Sequence, residues 1–305
     1  MILNFDNSVL ENVNNADLAR VVGLIYDRGH KREKNPVFRR YLVDNIICKS
    51  FFGQLKVDKI RNSVETRSIT DFERSCYSTI NVGNGTGLVG LSDLLIILSC
   101  SNFLILENAL YDFEVIKRWV EFFKNDKIFS DVNISVKEAI DNGYLLPYNA
   151  GGGNGTISNA MKALIPACGN APRYKLTAIF DSDKLSSTDT LDHNKSVKNF
   201  LSAYGISFHE LNNREIENYF SIDTFDDAGF ILNDATLLSM SEIDLDYVDM
   251  EHSFTGYEKK QIPRLCKFMQ KSRLIKRVKH HLISHPEFGE LTEIQFVILL
   301  LAKLI

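Results

Sequence analysis

The sequence predicts an α/β fold built on a small parallel sheet, and three observations carry that prediction. Two short apolar runs, Phe103-Leu104-Ile105-Leu106 and Thr177-Ala178-Ile179-Phe180, each stop abruptly at an acidic residue. Runs of this length bounded by polar residues read as strands buried on both faces. Through 101–222, segments with helical spacing alternate with further strand candidates, the order of repeated βα units that cover a sheet on both sides. The expected organisation is a helical N-terminal region (1–100), an α/β domain (101–222) and a helical C-terminal region carrying a basic stretch (223–305).

A chain of 305 residues can bury one large core or two to three modules. A net charge of −4 identifies no partner. Cys48, Cys76, Cys100, Cys168 and Cys266 are far apart and form no CxxC pair, and no signal peptide is visible. A reduced, cytoplasmic setting is therefore expected and zinc is not. The longest apolar stretches, 91–106 and 296–305, are interrupted or short, so no membrane span is expected.

Taken in order, 17–26 has helical spacing, and Asn35-Pro36 opens a second helix with Phe38, Tyr41, Leu42, Ile46, Ile47 and Phe51 on one face. The glycine-rich breaker at 81–87 precedes a helix over 88–99. Strand 103–106 leads into a helix over about 112–124, with Phe113, Ile116, Val120 and Phe123 on its buried side. Residues 144–149 form a strand whose Pro147 suits a sheet edge. Gly151-Gly152-Gly153 then bends the chain into a helix over 156–165. Strand 176–181, a helix over 196–204 and a short strand at 206–209 complete the alternation.

The chemistry concentrates at strand tips. In open α/β sheets ligands sit at the carboxyl ends of the strands. Asp181 and Asp183, one residue apart, fall on one side of an extended strand end, and Glu107 ends the other strand. Each alone is as readily a polar loop start or a helix cap. Together, three carboxylates at neighbouring tips suit a hard divalent cation such as Mg²⁺ or Mn²⁺. A phosphatase of the haloacid-dehalogenase type also places DxD after a strand, but it wants a small hydroxyl residue where Leu185 stands. Gly152 and Gly153 can present backbone N–H groups to a phosphate, or serve only as a flexible turn; no GK[ST] follows, so this is no P-loop. Charge is segregated: 210–251 is acidic with Arg214 as its only basic residue, and 259–279 is basic. Lys271, Arg273, Lys276 and Arg277 on a helix after Pro263 read either as a nucleic-acid contact or as a solvated face, with the acidic segment placed to neutralise part of the charge. Leu265, Phe268, Met269, Ile275 and Val278 form that helix's expected buried stripe. His280, His281 and His285 lack partner ligands at metal-site spacing and read as surface or phosphate contacts.

The order of motifs resembles a known family. Strand-Glu107, then Gly151-Gly152-Gly153, then strand-Asp181-x-Asp183, then Arg214-x-Ile216-Glu217-Asn218-Tyr219 is similar to the Toprim domain. The variant is that of the overcoming-lysogenization-defect nucleases and related Toprim effectors of bacterial anti-phage defence, including PARIS-type and retron-associated ones. The resemblance covers roughly 101–222. It implies a Toprim-like sheet and a Mg²⁺- or Mn²⁺-dependent endonuclease in which Glu107, Asp181 and Asp183 hold the metal and Glu217 adds a further acid. Lys184, beside the metal, would neutralise phosphate charge. The implied partner is nucleic acid, DNA or tRNA, with room for an ATPase or other defence-system partner and for a homodimer. The family's Glu-Gly-x-x-Asp motif reads Glu107-Asn108-Ala109-Leu110-Tyr111-Asp112 here, so the nearest acid is one residue late. A residue's rotation of about 100° on a helix start predicts Asp112 off the metal. That departure keeps a rival alive: a degenerate Toprim module that binds nucleic acid or regulates a partner. A topoisomerase would need a tyrosine-bearing DNA gate for which the chain is short.

Overall fold

The computed structural model describes residues 2–6, 42–43, 71–99, 101–126, 129–152, 154–189 and 191–305, with residues 8, 17, 20, 21 and 24. Its centre is a four-stranded parallel sheet made of β4 (Asn102–Leu106), β5 (Leu145–Asn149), β6 (Leu176–Phe180) and β7 (Ser207–Glu210), in the order β5-β4-β6-β7. Phe103 pairs with Leu176 and Ile105 with Ala178, so the carboxyl tips of β4 and β6 lie side by side. Pro147 sits on an edge strand, where its missing N–H costs no ladder bond.

Side chains alternate across the two central strands. Leu104, Leu106 and Ile179 enter one core with Trp119, Val120, Val297 and Leu301. Ile105, Ala178 and Phe180 enter the other with Ile157, Met161, Val197 and Leu201. This period of two explains the unbroken apolar runs: both faces are covered. One face carries α1 (Ala109–Phe123), α2 (Ser130–Asp141) and the last helix, Glu293–Leu304; the other carries Asn154–Leu164 and Asp192–Ala203. The last helix is tied to the sheet's start by Asn102 Nδ2, which donates to the Leu304 carbonyl.

Elsewhere the structure departs from the helical expectation. The N-terminal region holds a three-stranded parallel sheet of β1 (Ile2–Phe5), β2 (Leu42–Val43) and β3 (Thr79–Val82), in the order β2-β1-β3. Leu42 and Val43 are therefore strand rather than helix; the rest of the helix expected from Asn35 to Phe51 lies outside the described residues. Residues 17, 20, 21 and 24 are helical, and the helix after the glycine-rich turn runs Leu91–Ser99. The C-terminal region adds two antiparallel pairs, β8 (Ile231–Leu232) with β9 (Phe254–Thr255) and β10 (Leu282–His285) with β11 (Gly289–Thr292). Among the described residues no helix is long and apolar enough to cross a membrane.

Candidate active site

Five carboxyl groups and one ammonium converge at the tips of β4 and β6. Glu107 leaves β4 with its Oε1 3.0 Å from the backbone N–H of Asp181, a bond that ties the two tips together. Burial, then the neighbouring charge of Asp183, pushes the Glu107 carboxyl up to about 8. Asp181 is itself buried, and its Oδ1 accepts from the Ile216 N–H at 2.9 Å. Burial and the Glu107 charge hold the Asp181 carboxyl well above the usual range. The tip is buried because the turn Ile216–Tyr219 folds over it.

That turn brings Glu217. A reciprocal cap between Glu215 and Asn218 fixes it, and Asn218 Nδ2 also donates to the carbonyls of Leu245 and Val248. Glu217 is fully buried, and neither of its carboxylate oxygens has a hydrogen-bond partner. Burial pushes it up to about 8, against the attraction of Lys259.

Lys259, which the sequence does not single out, supplies the charge balance. Its Nζ lies 3.7 Å from Asp181 Oδ2 and 3.7 Å from Glu217 Oε1. Burial works against this ammonium, but Glu217, Asp181, Glu215 and Asp112 outweigh it and raise its pKa. Its side chain is one-third exposed, so the pocket opens to solvent beside it.

Asp112 corrects the phase argument. The helix α1 begins at Ala109, and Asp112 folds back so that its Oδ2 accepts from the Asn108 N–H at 2.9 Å. The side chain is thus buried in the acid pocket rather than turned off it, and burial pushes its carboxyl up to about 6. Tyr111, where the resemblance expects an aspartate, packs against the hydrophobic core. Asp183 departs from the expected alternation because β6 ends at Phe180 and Asp183 takes a left-handed φ of +54°. Its N–H donates to the Arg214 carbonyl at 2.9 Å and its Oδ2 lies 3.4 Å from His193 Nε2. It remains near enough to raise Glu107.

Other expected site residues have different employment. Lys184 Nζ lies 3.7 Å from Glu210 Oε2, a carboxylate it shares with Lys198, so its nearest charge partner is at the end of β7 rather than in the acid pocket. Gly151 and Gly152 take φ of +94° and +92°, and the Gly152 N–H donates to the Glu107 carbonyl at 3.2 Å. That N–H braces the strand tips and is not free for a phosphate. Gly153 lies outside the described residues.

The basic helix is largely neutralised from within. Arg277 is a correction: it is buried, with Nη2 bonded to the Asn218 carbonyl at 2.6 Å and to Asp246 Oδ1 at 2.8 Å. Arg273 pairs with Asp227 and Asp223, Lys276 with Glu242, and Lys271 Nζ donates to the Phe122 carbonyl. The helix breaks between Ile262–Phe268 and Lys271–Val278, which shifts its phase: Leu265, Met269, Leu274 and Val278 are buried, whereas Phe268 and Ile275 are exposed. The histidines are not surface groups either. His281 and His285 are buried, and His280 and His281 both reach Asp246.

The arrangement offers a set of hard oxygen donors, a buried carboxyl without a hydrogen bond and a partly exposed ammonium at the carboxyl edge of a parallel sheet. Such donors fit Mg²⁺ or Mn²⁺ and fit a thiophilic ion poorly. No family model, curated protein or solved structure matches the chain.

Proposed function

We propose that the chain is a Mg²⁺- or Mn²⁺-dependent phosphodiesterase acting on nucleic acid, with the acid pocket as its centre. The observation that carries this reading is Glu217: a fully buried carboxyl beside Asp112 and Asp181 that has Lys259 as its counter-charge and no hydrogen bond to either oxygen. Leaving buried polar atoms unsatisfied costs stability, and a fold keeps such a group where it has a ligand to meet. Glu107, Asp181 and Glu217 would hold the cation, with Asp112 as a further acid and Asp183 near the Glu107 side of the pocket. When bound, the cation polarises the scissile phosphate and lowers the pKa of a water. The protein's own part is to hold protons on Glu107 and Glu217 at neutral pH until a cation competes for their oxygens. Lys259 balances the resting pocket and, on its flexible stem, is placed to meet a phosphate oxygen. The family resemblance extends the proposal to an anti-phage effector with DNA or tRNA as substrate.

Lys259 also favours a second reading. A pocket whose carboxyls already face a cation of the protein's own resists an added metal at rest, which suits a nucleic-acid-binding or regulatory module engaged by a partner. Titration of Mg²⁺ and Mn²⁺ against the purified chain with plasmid and mixed tRNA separates the two. The expected result is metal-dependent cleavage that Asp181→Asn and Glu217→Gln abolish, both variants being isosteric and folding like the parent. Cleavage by both variants at the parent's rate sinks the site. Binding of nucleic acid without cleavage at any metal concentration returns the second reading.

A further inference from the structure

A second constellation of chemistry-bearing side chains lies outside the acid pocket. Asp246 ends the short helical turn Glu242–Leu245, and His280 and His281 follow the helix Lys271–Val278. His280 Nε2 lies 2.6 Å and His281 Nε2 2.7 Å from the same oxygen, Asp246 Oδ2. Arg277 holds the other oxygen of Asp246, Oδ1, at 2.8 Å, so the two imidazoles converge on Oδ2. Two imidazoles aimed through the same ring atom at one carboxylate oxygen is how ligands gather around an ion.

We propose that Asp246, His280 and His281 form a binding site for one divalent transition-metal ion of the zinc class, separate from the acid pocket. The three ligand atoms all lie within 4.8 Å of one another. A zinc-class ion sits about 2.0–2.2 Å from such donors, which places tetrahedral donors about 3.3 Å apart. Loading therefore asks for shifts of roughly 1 Å, and the partly exposed His280 ring has room to make them. Two of the three ligands also have contacts on the far side, as metal-binding histidines and carboxylates usually do. His281 Nδ1 lies 3.3 Å from Glu293 Oε2, while Asp246 is anchored by Arg277 and, through its carbonyl, by the Arg214 N–H at 2.8 Å. The coordination sphere is incomplete on one side, where a cavity of about 300 Å³ lined by Lys184, Ser187, Asn212 and Tyr247 leaves a position for water or a small anionic ligand. Two imidazoles and one carboxylate select a borderline ion over Mg²⁺, which wants oxygen donors.

The test uses the full chain stripped with a chelator and titrated with Zn²⁺ by calorimetry, then loaded with Co²⁺ for visible absorption. The parent should bind one equivalent of Zn²⁺ that millimolar Mg²⁺ does not displace. His280→Ala should weaken binding at least roughly 100-fold, beyond the loss typical of an outer-layer change, and abolish the Co²⁺ bands. Glu217→Gln should leave both unchanged. If His280→Ala does not fold, His280→Gln, a poor ligand that still donates to Asp246, is read by the same criteria. The proposal is overturned if the parent takes up no equivalent of Zn²⁺, if the His280 variants bind it as tightly, or if Mg²⁺ displaces it.

Discussion

Replacing Lys259 with methionine removes the ammonium that lies against Asp181 and Glu217 while keeping most of its apolar stem. Each of its contacts, to Asp181 Oδ2 and Glu217 Oε1, spans 3.7 Å. Coulomb attraction at that distance is about 1 kcal/mol in bulk water and about 4.5 kcal/mol at an effective dielectric constant of 20. The side chain is one-third exposed, so the lower end applies and the two contacts together contribute about 2 kcal/mol. That attraction exists only where the carboxyls are ionised. Glu217, pushed up to about 8, is largely neutral at pH 6 and charged at pH 9. The gap between Lys259→Met and the parent should therefore widen from pH 6 to pH 9 by the Glu217 contact's share, about 1 kcal/mol or about 2 °C in Tm, measured by thermal melts without divalent cations. The variant should also bind Mg²⁺ more tightly, since a competing positive charge is gone. A stability gap that does not change with pH, or Mg²⁺ affinity no better than the parent's, refutes the assignment of Lys259 as the pocket's counterion.

Other outcomes follow from the same geometry. Glu107 and Glu217 are raised from 4.5 to about 8, so the native chain holds more protons than the unfolded one between those values; without divalent cations stability should decline as pH rises through that window, and saturating Mg²⁺ should flatten the decline in pH-dependent melts. Asp112→Ala should impair metal-dependent cleavage and remove a helix cap worth about 1 kcal/mol, while Tyr111→Asp brings no gain because that position packs into the core; rates against Mg²⁺ concentration for both variants decide it. Replacing Lys271, Arg273 and Lys276 with Gln should barely change the salt slope of nucleic-acid binding, whereas Arg277→Gln should destabilise by roughly 3 kcal/mol in urea unfolding because Asp246 Oδ1 and the Asn218 carbonyl lose the buried guanidinium.

The four-stranded sheet was legible because buried strands must be apolar on both faces, and 103–106 and 177–180 are. The strand-tip positions of Glu107 and Asp181 were legible for a related reason: a carboxylate that ends a buried apolar run has few places to go. Glu217 came only from the resemblance of the stretch Arg214-x-Ile216-Glu217-Asn218-Tyr219. What stayed hidden depends on distant partners or on local backbone detail. Lys259 is one of nine basic residues in its stretch, and only the fold of the turn Ile216–Tyr219 sets it apart. Arg277 reads as solvated on any helical wheel, yet its acidic partners Glu242 and Asp246 lie 35 and 31 residues upstream. The contrast between acidic and basic segments, which suggests a polyanion-binding face, is in good part an internal pairing. The helix Ser130–Asp141 is masked by the polar Asn133 and Ser135 on its buried side. Asp112 was misplaced because ideal helical phase ignores a side chain that turns back to cap its own helix.

One clamp sets the order in which the site is completed. Glu293, the first residue of the last helix, accepts from Tyr219 Oη at 2.5 Å and from the Asn212 N–H at 2.7 Å, and so fastens both ends of the segment that presents Glu217. Burial opposes its charge, but hydrogen bonds from His209 and His281 and the charge of His209 hold its carboxyl down at about 2, so the clamp is ionised at any physiological pH. Tyr219 is made 74 residues before its partner. A chain still threading through the ribosome therefore owns every acid of the pocket without the fastening that positions Glu217. The pocket is complete only after the last helix has docked.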